Sequence, residues 1–125
     1  MGRTPQAFQT THSVRDGVHT LALSGELDLA ASPELEAVMF QLFTDKPAVL
    51  TLDLSGLTFI DSTGIGTVLL IRAEADKRGC ELRIIRGGGN VHRIFKATGL
   101  ADVLPWDSPE LPSWHYQSSS RRHLS

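Results

Sequence analysis

Asp61, Ser62 and Thr63 stand in a row and run straight into Gly64-Ile65-Gly66. The run Ala48-Val49-Leu50-Thr51-Leu52-Asp53-Leu54 upstream predicts a buried strand. Downstream, Ile65, Val68 and Leu69 give way to polar residues from Arg72 onward, which predicts a helix over Gly64 to Arg78. Ser62 therefore falls at or just before a helix N-terminus, where free backbone N–H groups meet the positive end of the helix dipole. A hydroxyl there can cap the helix, or it can carry a phosphate whose charge the helix end tolerates. Gly64 and Gly66 each cost the first turn roughly 0.5–1 kcal/mol relative to Ala. That cost points to something approaching the backbone closely.

The surrounding elements follow from the same kind of reading. Ala7 to Ser13 and Val18 to Leu23, joined by Arg15-Asp16-Gly17, predict an antiparallel hairpin. Ser32 as cap and Pro33 in the first turn open a helix whose stripe is Leu35, Val38, Met39 and Leu42, ended by Lys46-Pro47. After a turn at Gly79, Glu81 to Arg86 reads as a strand. Gly87-Gly88-Gly89 reads as a turn, and Asn90 as the cap of a helix from Val91 to about Thr98, stopped by Gly99. Val103-Leu104 is expected as a short edge strand. Strands alternating with helices after a leading hairpin predict an α/β fold with right-handed crossovers, a mixed sheet packed on helices.

Three ordered segments resemble one family. Leu57-Thr58-Phe59-Ile60-Asp61-Ser62-Thr63-Gly64-Ile65-Gly66 is similar to the phosphorylation loop of bacterial STAS-domain anti-sigma factor antagonists. Leu23-Ser24-Gly25-Glu26-Leu27-Asp28 resembles the Gly-Glu-Leu-Asp that closes the family's second strand. Val91-His92-Arg93-Ile94-Phe95-Lys96-Ala97-Thr98-Gly99-Leu100 resembles its late helix. The resemblance spans residues 6 to 105 and implies the STAS fold. It makes Ser62 the phosphoacceptor, Asp61 its acidic neighbour, and Asp28 the loop aspartate that helps engage a kinase. Asp28 is equally a cap or turn residue, and Thr63 a second acceptor or a cap. Gly64 and Gly66 would lie where the partner packs. That partner would be an anti-sigma factor that is itself a serine kinase using ATP and magnesium, with a phosphoserine phosphatase reversing the step. Unphosphorylated protein would sequester the kinase and free a sigma factor, while the phosphorylated form would release it. A non-switching STAS adaptor is the alternative. Ile65 in place of the usual Leu, and Gly87-Gly88-Gly89 before the late helix, are mild departures.

Composition sets the outer bounds. The 125 residues suit one domain, and 41% apolar with 21% charged residues is ordinary for a globular protein. A formal net charge of −2 gives no electrostatic case for nucleic acid or an anionic membrane. No run reaches the ~18 apolar residues of a membrane span, and Met1 to Gln6 lacks a signal peptide's apolar core. The expected compartment is the cytoplasm, and the sulfate-transporter branch of the family is disfavoured. Cys80 stands alone, so it reads as a buried structural thiol. Phosphate-loop, dinucleotide and Gly-x-Ser-x-Gly signatures are absent, and the five histidines lack metal spacing. No enzyme and no cofactor is expected. Asp28 and Asp61 could form an acid/base pair, but nothing in the sequence reports their separation. Residues 106–125, with Pro109, Pro112, Ser118-Ser119-Ser120 and Arg121-Arg122, read as a flexible tail in which Trp114, His115 and Tyr116 could dock.

Overall fold

The computed structural model describes residues 6–107. The hairpin forms as expected from β1 (Gln9–Arg15) and β2 (Val18–Leu27), which pair antiparallel with Arg15 opposite Val18. Asp16 and Gly17 both have positive φ, 52° and 79°, the backbone that a tight hairpin turn requires. Helix α1 (Ser32–Phe43), β3 (Val49–Ile60), α2 (Ser62–Lys77), β4 (Glu81–Ile85) and α3 (Gly89–Ala97) follow. A 3₁₀ turn at Leu100–Asp102 leads to β5 (Trp106–Asp107). The sheet runs β1-β2-β3-β4-β5, with β2 to β5 mutually parallel.

The period-2 alternation of the strands decides where the core sits. Leu21, Leu23 and Leu27 of β2, Leu50, Leu52 and Leu54 of β3, and Leu82 and Ile84 of β4 are all buried. They form one cluster with Leu35, Met39, Leu42 and Phe43 of α1, Val68 and Ile71 of α2, and Val91 and Phe95 of α3. Each such side chain contributes about 1.5–3 kcal/mol on leaving water. Alternate residues, among them Thr20, Ala22, Asp53, Arg83 and Ile85, are only half-buried, so the helices cover one face of the sheet.

Several boundaries differ from the sequence reading. Strands β2 and β3 run on to Leu27 and Ile60, through Ser24-Gly25 and Ser55-Gly56, past the ends expected at Leu23 and Leu54. Register shifts between Ala22 and Ser24 and between Gly25 and Glu26 accommodate them. Gly25 has φ +84°, and a Cβ there would strike the Ala7 carbonyl; one on Gly56 would lie 2.7 Å from the Leu23 carbonyl oxygen. Ser32 is not the cap of α1. Ala31 holds that place, and the Ser32 hydroxyl donates instead to the Asp28 carbonyl at 3.0 Å. Asn90 is not the cap of α3 either. Gly88 is, and the Asn90 Nδ2 donates to the Thr58 carbonyl at 2.9 Å, tying α3 to the far end of β3.

The edge strand expected at Val103-Leu104 forms instead at Trp106–Asp107, where Trp106 pairs with Ile84. The Trp106 ring stands edge-on to Phe95 and His92, at centroid distances of 5.1 and 4.9 Å. Its indole N–H donates to the Leu100 carbonyl at 3.4 Å. Strand β5 thus lies just past the boundary expected at residue 105, because an aromatic side chain that packs on the core draws its backbone into the sheet. Trp114, His115 and Tyr116 lie outside the described residues.

Candidate functional site

Parallel pairing of β2 with β3 builds the site. Leu27 stands opposite Ile60, so both strands end side by side, and Asp28 and Asp61 open the two connections that leave the sheet at the same edge. The Asp61 N–H donates to the Leu27 carbonyl at 3.3 Å and fixes that junction. The two carboxylates that the sequence left unrelated are thus brought to one lip of the sheet.

Asp61 caps α2. Its backbone is extended (φ −115°, ψ −175°), its Oδ1 accepts the Gly64 N–H at 3.0 Å, and its carbonyl accepts the Ile65 N–H at 3.0 Å. Ser62 is consequently the first helical residue and exposed, and no hydrogen bond to its hydroxyl is found among the described residues. The sequence left capping and phosphate-bearing open for Ser62; capping belongs to its neighbour. Thr63 is half-buried, and its carbonyl accepts from the Thr67 hydroxyl at 3.2 Å.

The two glycines separate. Gly64 is buried, and a Cβ there would sit 2.5 Å from the Leu27 carbonyl oxygen and 2.8 Å from Ile60 Cγ1. The close approach that its presence implied is made by the protein's own strand, so Gly64 offers no surface to a partner. Gly66 is exposed, and a Cβ there would meet nothing within 4 Å. Asp28 is half-buried and acts as a turn residue. Its Oδ1 accepts the Ala31 N–H at 3.0 Å and its carbonyl accepts the Ser32 N–H at 2.9 Å.

Sequence reasoning missed the apolar rim. Leu29, next to Asp28, is 71% exposed, and Phe59, at the end of β3, is 37% exposed. On α2 the residues Ser62, Gly66, Leu69 and Ala73 are all exposed at a spacing that places them along one face. A helix face of Ser, Gly, Leu and Ala toward solvent, where charged residues usually stand, is shaped for close packing by another surface. The signal was present in the heptad-like spacing, but the buried stripe of the same helix masked it.

Chemically, the lip presents one uncommitted hydroxyl at the positive end of a 16-residue helix. Among the described residues no group of His, Cys, Asp and Glu side chains is arranged to hold a metal ion, and no helix is long and apolar enough to cross a membrane. A family model described as the STAS domain matches residues 10–113. The chain belongs to the STAS domain family. This STAS domain is 28% identical over 92 residues to the anti-sigma-B factor antagonist of Staphylococcus aureus, covering 74% of this chain and 85% of that protein. It superimposes on the crystal structure of an anti-sigma factor antagonist from Mycobacterium paratuberculosis with a TM-score of 0.75 and 28% identity, covering 86% of this chain and 91% of that one. The Bacillus cell fate determinant SpoIIAA, in the phosphorylated form, matches with a TM-score of 0.62 and 20% identity over 95% of this chain and all of that one (100%). At that identity the likeness is one of fold. The five-stranded mixed sheet with its helices is the STAS fold expected from the sequence.

Proposed function

We propose that this STAS domain is an anti-sigma factor antagonist whose binding is switched by phosphorylation of Ser62. The observation that carries the reading is the division of labour at the start of α2: Asp61 caps the helix, which leaves the Ser62 hydroxyl exposed and chemically free. Family membership and the names of the relatives support the antagonist role. The partner is an anti-sigma factor that is a serine kinase using ATP and magnesium. The chain itself needs no cofactor and performs no catalysis in this scheme, and it acts in the cytoplasm.

Phosphorylation adds about −1.5 to −2 charges and three acceptor oxygens to Ser62. The helix end tolerates that charge, because the N–H groups of the first turn and the dipole are positive there. A partner seated on Gly66, Leu69, Leu29 and Phe59 meets instead a new bulk and a charge beside those of Asp61 and Asp28. The fold stays and the contact is lost. A phosphoserine phosphatase then restores the binding surface, and each cycle decides whether the sigma factor is free. Thr63, half-buried, is the lesser acceptor.

The test is a binding titration of the cognate anti-sigma kinase against four forms: wild type, Ser62→Ala, Ser62→Asp and the phosphorylated protein. Wild type and Ser62→Ala are expected to bind alike, Ser62→Asp weakly and the phosphoprotein least. Equal affinity across all four removes the switch and leaves a non-switching STAS adaptor.

A further inference from the structure

The two edges of the sheet are unlike. β5 closes one side with two residues, too short an edge to template further pairing. β1 closes the other with seven, Gln9–Arg15, all exposed except the half-buried Thr10, and no strand among the described residues pairs with its outer side. Its register with β2 is unbroken, so no bulge turns it away. It contains no Pro, Lys, Asp or Glu, and its one Arg stands last. The devices that commonly blunt an edge strand are absent from it.

The hairpin turn settles which backbone groups this edge presents. Asp16 and Gly17 both have positive φ, the two-residue turn that closes on a hydrogen-bonded pair, here Arg15 with Val18. Antiparallel ladders alternate, so Ser13 and Thr11 also bond to β2, while the N–H and C=O of Thr10, His12 and Val14 point outward. The side chains of these three stand opposite Leu23, Leu21 and His19, on the face that the helices cover. The cover stops short of them. Val14 is 56% exposed, and a groove of about 430 Å³ separates His12 from Ala37, Val38, Gln41 and Leu42 of α1. A 2.9 Å hydrogen bond between His12 Nε2 and His19 Nδ1 ties the His12 ring back toward β2 and leaves the outer backbone clear.

We propose that β1 is the seam of a homodimer, paired antiparallel with β1 of a second copy about a two-fold axis at His12. The strand is complementary to itself in that arrangement. His12 is the midpoint of Gln9–Arg15 and of the outward-facing set, so the rotation sets His12 against His12 and Thr10 against Val14. Every outward N–H then meets an outward C=O. Gln9 comes opposite Arg15, and the two Arg15 side chains stand about 20 Å apart, beyond a Debye length of about 8–10 Å. The added strand also lays its Thr10, His12 and Val14 along the mouth of the groove and takes the exposed Val14 of each copy out of water. This two-fold match in bonds and in charge favours a second copy over an unrelated extended segment. A seam of seven residues a side falls short of the roughly 1,200 Å² at which stable interfaces begin, so the dimer forms and separates with concentration. Ser62 follows β3, two strands away, and the proposal does not rest on the antagonist reading.

The experiment combines sedimentation equilibrium of the full chain with amide hydrogen exchange, over a range of concentration that ends near about 1 mM. The mean mass is expected to rise from that of one chain toward that of two. Exchange at Thr10, His12 and Val14 is expected to slow severalfold over the same range, while Thr11 and Ser13, already bonded to β2, stay protected throughout. His12→Glu and His12→Lys each set like charges face to face at the axis and are expected to weaken association at least about threefold. An equimolar mixture of the two variants is expected to recover it. A mass that stays at one chain overturns the proposal; with the three amides protected at every concentration, the edge is covered within the chain instead. A dimer whose three amides remain open, or a variant mixture that fails to recover, overturns it as well, since association then uses another surface or another register.

Discussion

Gly64 and Gly66 share the first turns of one helix, yet alanine at each should move stability in opposite directions. In an open helical site Gly→Ala stabilises by about 0.5–1 kcal/mol, through lower backbone entropy in the unfolded chain and better helix propensity. Nothing lies within 4 Å of a Cβ on Gly66, so Gly66→Ala should show that gain undiminished. On Gly64 the methyl would stand 2.5 Å from the Leu27 carbonyl oxygen and 2.9 Å from Leu27 Cγ. Ordinary contact is about 3.5 Å, so roughly 1 Å of relaxation is needed. Leu27 cannot easily give way, because its side chain is wholly buried and its carbonyl holds the Asp61 N–H. Overpacking of this kind costs about 1–3 kcal/mol. Taking the upper value for a backbone clash and subtracting the propensity gain leaves a net loss of about 2 kcal/mol for Gly64→Ala. The two variants should then differ by about 3 kcal/mol, a large share of the 5–15 kcal/mol typical of a domain. Urea denaturation with a common slope resolves this readily. A Gly64→Ala protein as stable as wild type would refute the account of why that glycine is there. Binding of the proposed partner kinase gives a second readout, since Gly66→Ala adds bulk to the exposed face while leaving the fold intact.

Three further expectations follow from the same contacts. Asp61→Ala removes the cap of α2 and should lose about 0.5–2 kcal/mol in a denaturant melt, whereas Ser62→Ala, at an exposed site that does no capping, should melt within about 0.5 kcal/mol of wild type; the reverse order would return the cap to Ser62. Trp106→Ala should cost about 2–3 kcal/mol through lost ring contacts with Phe95 and His92, less than the 3–5 of a fully buried Trp; no loss would put Trp106 outside the domain. His92 should titrate below its ordinary 6.5, since burial and the charges of Arg86 and Lys96 oppose protonation. Around that pH the unfolded chain binds more protons, so the contribution of His92 to stability is complete above 6.5 and declines as pH falls through its folded value. An NMR titration midpoint at or above 6.5 would contradict this.

Local pattern determined a good deal. The hairpin turn at Asp16-Gly17, the burial of Leu50, Leu52 and Leu54, the apolar stripe of α1 and the helix start at residues 61–62 are each set by neighbours within a few positions. Ser62 was legible as a hydroxyl at a helix N-terminus for the same reason. Tertiary structure decided which residue does what around it. Three short side chains compete for one set of free N–H groups. Asp61 takes the capping role because its extended backbone, pinned to Leu27, aims the carboxylate at Gly64. Strand pairing alone brings Asp28 beside Asp61, since they stand 33 residues apart by their numbers and meet through the register of Leu27 with Ile60. The same pairing explains Gly64, whose missing side chain makes way for β2 and not for a partner. The places of Asn90 and Trp106 are decided in the same way: each makes its decisive contact, with Thr58 or with Phe95 and Ile84, across the fold rather than along the chain. Spacing in sequence reports what a segment can form, and only packing selects which of several capable groups is used.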